Sequence, residues 1–171
     1  MHYVVDQTNR IIAVDDGWDD AAALAQGGLG SMRASVMGRQ LEDCMVGDAT
    51  KMFVRTALDA ARLLQQTRVL PYRCDAPDAR RRFDMIISPI GGGQVKVEHR
   101  LVEAYPAAVR NKRPRRQGLA GWRCSQCLHV RLGGSDEWTD IDIEPQTILA
   151  QDVCPSCASN LFSSATSGPH P

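Results

Sequence analysis

Four cysteines near the C-terminus form the strongest chemical pattern in the sequence. They occur as two Cys-x-x-Cys pairs, Cys124 with Cys127 and Cys154 with Cys157, and 26 residues separate the pairs. Each pair is typical of a tight turn that directs both sulfur atoms inward, so two pairs can supply four thiolates to one tetrahedral metal ion. A segment this short cannot build a large hydrophobic core, and we therefore predict a structural metal site.

The identity of the metal is open between zinc and iron. Rubredoxins, which bind iron for electron transfer, resemble this chain in having two such pairs at a comparable gap, with Cys-Pro in the second. In that family glycine follows each pair, whereas Leu128 and Ala158 stand there in this chain. The difference favours zinc in a closed site that stabilises the fold and cannot activate water. Because four cysteines complete the coordination, we expect His129 at the surface or beside the ligands.

The composition excludes an overall charge attraction to nucleic acid or to anionic membranes. Lys plus Arg and Asp plus Glu each total 20, so any such binding must be local. No stretch approaches the roughly 20 apolar residues of a membrane helix, and the N-terminus lacks the pattern of a signal peptide. We therefore expect a cytoplasmic protein without a membrane partner, whose paired cysteines are reduced and available to a metal.

The residues before the cysteines predict an α+β domain. Residues 3–14 have the pattern of two strands joined by a turn, and a short helix around Trp18 follows. Residues 50–66 predict a longer helix with a core-facing stripe. Three strands follow at 68–74, 81–90 and 94–103, and a glycine turn joins the last two. The predicted stripe consists of Phe53, Ala57, Ala61 and Leu64.

The order of these elements resembles a PAS domain. The resemblance covers about residues 1–104, and it is carried by VVDQTNRIIAVDDGW, MGRQLEDCM and IISPIGGGQVKVEHRL. It implies a five-stranded antiparallel sheet with helices on one face, a role in sensing or protein interaction, and often a homodimer. The flavin and haem patterns of the family are absent from the sequence: Cys44 lies in LEDCM, and residues 50–66 contain no histidine.

Five residues are further candidates for function in this domain. Phe53, Ala57 and His99 are the candidate ligand-pocket residues, because each is predicted to face the space between sheet and helices. His99 is interpreted either as a hydrogen-bonded core histidine or as a contact to a small ligand. Cys44 and Cys74 are predicted to be buried or half-buried thiols, with a redox role as the alternative.

A basic linker and a small cysteine module complete the chain. The module is similar to one that follows PAS domains in bacterial signalling proteins, and the matching residues are Cys124, Cys127, Arg131, Trp138, Cys154, Pro155 and Cys157. The predicted organisation is a PAS-like domain at 1–106, a linker at 107–120, a metal module with its own separate core at 121–162, and a disordered tail at 163–171. The basic residues of the linker, interpreted as solvated or as phosphate contacts, are Arg110, Lys112, Arg113, Arg115 and Arg116.

The sequence contains no recognised catalytic pattern. A nucleophile elbow, a phosphate-binding P-loop and a metalloprotease helix are all absent from it. We therefore expect a non-enzymatic sensory or regulatory protein, in which the PAS-like domain binds a small ligand or a partner and the zinc module mediates protein interaction. The alternatives are a nucleic-acid-binding regulator that uses the linker and the module, and a rubredoxin-like iron electron carrier.

Overall fold

The computed structural model describes residues 1–24, 28–76, 79–106, 121–141 and 149–162. The first part is an α+β domain built on a five-stranded antiparallel sheet. Its elements, in chain order, are β1 (His2–Val5), β2 (Ile11–Val14), α1 (Trp18–Leu24), α2 (Arg33–Val36), α3 (Asp48–Leu64), β3 (Arg68–Arg73), β4 (Ala79–Gly91) and β5 (Gln94–Pro106), with 3-10 turns at Leu29–Ser31 and Leu41–Cys44.

The strand order is β2-β1-β5-β4-β3, and local turn chemistry sets the β1–β2 and β4–β5 hairpins. In the β1–β2 turn the Asp6 carboxylate accepts hydrogen bonds from the backbone N–H groups of Thr8 at 2.8 Å and Arg10 at 3.0 Å. The β4–β5 turn uses Gly91, Gly92 and Gly93, which all have positive φ, where a side chain would be strained. Both predicted hairpins are confirmed.

Helix α3 lies against the sheet and provides much of the hydrophobic core. Phe53, Ala57 and Ala61 are buried as the sequence predicts. Leu64 is 50% exposed, because it is the last residue of the helix, so this part of the predicted stripe is wrong. The core also contains Tyr3, Val5, Leu70, Ile87, Val95 and Val97 from the strands. None of the described helices is long and apolar enough to cross a membrane.

Strands β4 and β5 are much longer than their neighbours. Each has 13 residues, whereas β1 has four and pairs only with Val95–Glu98 of β5. A bulge interrupts the β4–β5 ladder: Arg82 pairs with Glu103 and Phe83 pairs with Leu101, so Val102 has no partner in β4. The far ends of the two strands therefore extend beyond the rest of the sheet.

The C-terminal part forms a second, smaller unit that contacts the first. It contains β6 (Gly121–Cys124), β7 (Val130–Leu132), β8 (Ala150–Asp152) and α4 (Pro155–Asn160), with strand order β7-β6-β8. Leu161, directly after α4, belongs to the hydrophobic core of the first domain, and its carbonyl accepts a 3.0 Å hydrogen bond from the buried guanidinium of Arg68. The cysteines form a hydrophobic cluster of their own with Trp138, while Leu161 packs into the core of the first domain, so the two parts are in contact. The predicted linker at 107–120 and tail at 163–171 lie outside the described residues.

Candidate metal centre

The four paired cysteines are placed by three short elements of the C-terminal unit. Cys124 is the last residue of β6, and Cys127 lies in the turn that follows. Cys154 is the N-cap of α4, and Cys157 lies inside that helix. Pro155 starts the helix, which suits a residue with a fixed φ and no N–H to donate. A hydrogen bond of 2.8 Å from the backbone N–H of Ser125 to the carbonyl of Asp152 holds the two pairs side by side.

The four sulfur atoms converge on one point, as the sequence predicts. All four lie within 4.8 Å of one another, and the Sγ atoms of Cys127 and Cys154 are 3.7 Å apart. In a regular tetrahedron of sulfurs bonded at about 2.3 Å to a central ion, the edge is about 3.8 Å. Cys124, Cys154 and Cys157 are buried and Cys127 is half-buried. These four cysteines could therefore hold a metal ion in a closed site.

Because the sulfur atoms lie so close together, the pKa values of the Cys124, Cys127 and Cys157 thiols are shifted apart. Hydrogen bonds from the thiols of Cys127 and Cys157 lower the pKa of Cys124. The hydrogen bond with Cys124 in turn raises the pKa of Cys127 to about 12, and contacts with Cys124 and Cys127 raise the pKa of Cys157. Four thiolates repel one another at these distances, so full deprotonation requires a cation among them, and metal binding would release protons.

The aromatic side chain of Trp138 covers one side of the cysteine cluster. Trp138 packs against the cluster, and its neighbour Thr139 exchanges two backbone hydrogen bonds of 2.9 Å with Val130 of β7. The guanidinium of Arg131 lies 4.4 Å from the ring centre of Trp122 and 5.4 Å from that of Trp138. These cation–π contacts link Trp138, which packs on the cluster, through Arg131 to Trp122 of β6.

Leu128 holds a backbone position that normally favours glycine. Its φ is 62°, and its N–H donates to the carbonyl of Cys124 at 3.1 Å to close the first cysteine turn. The left-handed conformation costs a residue with a Cβ about 1 kcal/mol. Nothing in the sequence marks Leu128 for this conformation, because glycine is the residue that adopts positive φ without strain.

The candidate pocket residues of the first domain lie in two different settings. Phe53 and Ala57 are buried in the core under α3. His99 is half-buried: its ring centre is 5.6 Å from those of Tyr3 and Tyr72, and its Nδ1 is 2.8 Å from the Tyr72 hydroxyl. Burial lowers the pKa of His99 to about 4, so its imidazole is neutral at pH 7. The neutral ring shares a hydrogen bond with the Tyr72 hydroxyl within an aromatic cluster, and the tautomer of His99 decides which of the two donates.

A separate open groove lies on the other side of α3. It has a volume of about 590 Å³ and runs between the β1–β2 turn and the N-terminal half of α3. Gln7 and Asn9 line one wall, and Lys51 and Arg55 line the other. Phe53, Ala57 and His99 do not line this groove.

Cys44 and Cys74 are exposed, so the prediction that they are buried or half-buried is wrong. Cys44 ends the 3-10 turn Leu41–Cys44 and Cys74 follows the last residue of β3, and neither position lies under another element. Burial of part of the Cys44 side chain raises the pKa of its thiol, which disfavours the reactive thiolate. The basic residues Arg110, Lys112, Arg113, Arg115 and Arg116 lie outside the described residues.

The described structure thus joins a five-stranded antiparallel sheet to a four-cysteine cluster that could bind a metal ion. The features that describe this combination are the strand order, the packing of α3 on the sheet and the distances between the four sulfur atoms. Comparisons of the chain with models of protein families, with curated proteins and with solved structures gave no match.

Proposed function

We propose that this chain is a non-enzymatic cytosolic regulatory protein, in which a PAS-like domain binds a small ligand or a protein partner and a structural zinc ion holds a C-terminal module for protein interaction. The observation that carries the proposal is the convergence of four cysteine sulfurs within 4.8 Å. Four protein ligands leave no position for a substrate or a reactive water, so such a site contributes to folding and not to chemistry.

The donor set supports zinc as the bound ion. All four donors are sulfur, and their spacing suits tetrahedral coordination, which thiolate sites of zinc adopt. Cys124 also accepts a 3.3 Å hydrogen bond at its Sγ from the backbone N–H of Cys154, and such bonds stabilise the thiolate form. Zinc would neutralise part of the charge of the four thiolates and hold the two cysteine turns together.

The first domain supports the sensory part of the proposal. A five-stranded antiparallel sheet with α3 against it agrees with the PAS resemblance of residues 1–104. Fold resemblance alone does not identify a signal or a ligand. A partner could bind the exposed surface of the sheet or of the metal module, and the neutral His99 offers one polar group near the helix-covered side.

Elemental analysis of the purified protein, combined with its visible absorption spectrum, tests the proposal. We expect about one zinc per chain, no visible band, and loss of the metal when Cys154→Ser removes one of the four sulfurs. Iron with thiolate charge-transfer bands would instead support the electron-carrier alternative. A protein that binds neither metal with measurable affinity would overturn the metal module altogether.

The nucleic-acid alternative depends on residues 107–120, which lie outside the described residues. It requires an affinity for nucleic acid that falls steeply as salt is raised, because lysine and arginine contacts to phosphate release counterions. A binding assay over a salt series therefore separates this alternative from the main proposal.

A further inference from the structure

The open groove beside α3 has the size of a small-molecule site. Its volume of about 590 Å³ lies within the range of about 300–1,000 Å³ that is typical of ligand pockets. Its lining residues come from the β1–β2 turn, from the segment that includes Gln40 and Glu42, and from α3. On α3 they extend from Asp48 to Asp59, which corresponds to about 16 Å of helix.

Asn9 holds the three segments around this groove together. It is only 7% exposed, and its side-chain oxygen accepts a 2.7 Å hydrogen bond from Arg62 of α3. Its Nδ2 donates to the Glu42 carboxylate at 3.3 Å, and its backbone carbonyl accepts a 2.9 Å hydrogen bond from the N–H of Leu41. These bonds fix the segments before a ligand binds, which lowers the entropic cost of binding.

The charges of the groove are balanced. Its charged lining residues are Glu42, Asp48, Lys51, Arg55 and Asp59. Arg62, which pairs with Asp59 at 3.1 Å, brings the set to three carboxylates and three cations. The groove therefore has no net charge that would favour a simple anion or a simple cation.

Several polar groups of the groove are available to a ligand. Within the described part of the chain, the side chains of Asp48 and Lys51 form no ion pair or hydrogen bond. Arg55 has only a 4.0 Å contact with Asp59. The side-chain oxygen of Gln40 is buried and has no hydrogen-bond partner among the described residues. A buried acceptor without a donor costs free energy, and a ligand N–H that reaches it removes this cost.

We propose that this groove binds a small neutral zwitterion, a molecule with one primary ammonium group and one carboxylate, as in a free amino acid or a dipeptide. The ligand carboxylate contacts Lys51 and Arg55 of α3. The ligand ammonium contacts Glu42 and the side-chain oxygen of Gln40. Each charged end then has a partner when it loses water, which a ligand with a single charge does not achieve. Met52, which lines the groove and is 70% exposed, provides apolar contact to the rest of the ligand.

This inference rests on the proposed function and deepens it, because it names the ligand class and the surface of the PAS-like domain that binds the ligand. The site differs from the predicted pocket under α3. Phe53 and Ala57 of that pocket are buried in the core, whereas the groove is open to solvent.

Isothermal titration calorimetry of the full, metal-loaded chain provides the first test. L-leucine and L-phenylalanine represent free amino acids, and L-leucyl-L-leucine represents dipeptides, so the tightest of the three identifies the source of the zwitterion. We expect at least one of them to bind with a Kd below about 1 mM. The N-acetyl derivative lacks the ammonium charge and the methyl ester lacks the carboxylate, so each derivative of the tightest probe should bind about tenfold or more weakly.

Two variants test the orientation of the ligand. Lys51→Met removes a charge at similar side-chain length, and Glu42→Gln removes a charge but keeps an oxygen for the hydrogen bond from Asn9. Each should raise the Kd of the zwitterion by about tenfold or more. Lys51→Met should not weaken binding of the methyl ester further, and Glu42→Gln should not weaken binding of the N-acetyl derivative further, because the matching charge is already absent from the ligand.

Lys96→Met is the matched control. The Lys96 side chain is 39% exposed, lies 3.8 Å from Glu98 on β5 and does not line the groove. This variant should leave the Kd of the zwitterion unchanged. Circular dichroism checks that all three variants are folded.

Three results would overturn the proposal. The first is that none of the three probes binds at concentrations up to about 10 mM. The second is that the N-acetyl and methyl-ester derivatives bind as tightly as the parent probe. The third is that Lys51→Met and Glu42→Gln leave the Kd unchanged, which places the bound probe on another surface.

Zinc content, measured on the same preparation, separates this inference from the proposed function. A chain that holds one zinc ion but binds no probe loses the groove as a zwitterion site and keeps its metal module. A chain that binds neither zinc nor iron loses the metal module, whatever the groove binds.

Discussion

The backbone N–H of Arg73 donates a 2.7 Å hydrogen bond to the carbonyl oxygen of Gln126. Arg73 is the last residue of edge strand β3, and Gln126 is a buried residue inside the first cysteine turn. The Arg73 guanidinium also pairs with Asp140 at 2.8 Å. The first cysteine turn thus covers part of an edge that the sheet would otherwise leave open, and together with Leu161 it couples the two parts of the chain.

Removal of the metal should destabilise the whole described structure and not the C-terminal unit alone. Loss of the ion frees the cysteine turns, which releases Leu161 from the shared core and Gln126 from β3. At free zinc about 1,000 times its Kd, the metal would stabilise the fold by about 4 kcal/mol. Thermal unfolding followed by circular dichroism, with and without a chelator, should show one cooperative transition that shifts. A chelated protein whose sheet melts at the original temperature would contradict this coupling.

Leu161→Ala should lower the free energy of unfolding by about 2–4 kcal/mol, because it removes a buried side chain and leaves a cavity in the core. Its neighbour Phe162 is 73% exposed and provides the control. Phe162→Ala should change the free energy of unfolding by less than about 0.5 kcal/mol. Urea unfolding of the metal-loaded variants measures both. Equal effects of the two substitutions would show that Leu161 does not belong to the core.

His99 should make stability depend on pH between its two pKa values. The unfolded chain binds a proton at this residue near the ordinary value of 6.5, whereas the folded chain binds it only near 4. Stability is therefore lost as the pH falls from 6.5 towards 4, by at most about 3 kcal/mol. Urea unfolding from pH 7 to pH 4 should show this loss in the wild type and a flatter profile in His99→Gln.

His2 is the natural control for that experiment. Its side chain is 40% exposed and lies 3.3 Å from Asp15, so it is a histidine outside the hydrophobic core. His2→Gln should retain the steep profile of the wild type between pH 6.5 and pH 4. If His99→Gln retains the same slope, another group is responsible for the pH dependence.

The effect of a Leu128 substitution on stability should depend on how well the new residue tolerates the left-handed backbone conformation at this position. Leu128→Val should destabilise the metal-loaded protein by about 1 kcal/mol, because a β-branched side chain tolerates positive φ least. Leu128→Gly should have little effect or raise stability, because relief of the strained φ offsets the greater freedom of glycine in the unfolded chain. Melting temperatures compare the two variants, and a valine variant more stable than the glycine variant would contradict the prediction.

Short-range patterns predicted the hairpins, α3 and the convergence of the four cysteines from the sequence. Gly91, Gly92 and Gly93 specify a turn by their own conformational freedom, and two Cys-x-x-Cys pairs specify converging sulfurs by spacing alone. The contacts of Leu161 with the main core and of Gln126 with Arg73 depend on how distant segments dock, and no local pattern encodes them. The exposure of Cys44 and Cys74 was not predicted for a related reason. Whether a residue is buried depends on which other elements of the fold pack over it.

The place of Leu161 in the main core also bears on how such a chain could evolve. Recombination often exchanges domains as independent cassettes when each carries its own core. Here a crossover between residues 106 and 121 would separate the sheet from Leu161 and from the cysteine turn that covers β3. A foreign C-terminal segment joined at that point would have to replace both the Leu161 side chain in the core and the turn that pairs with β3. The two parts are therefore expected to be inherited together.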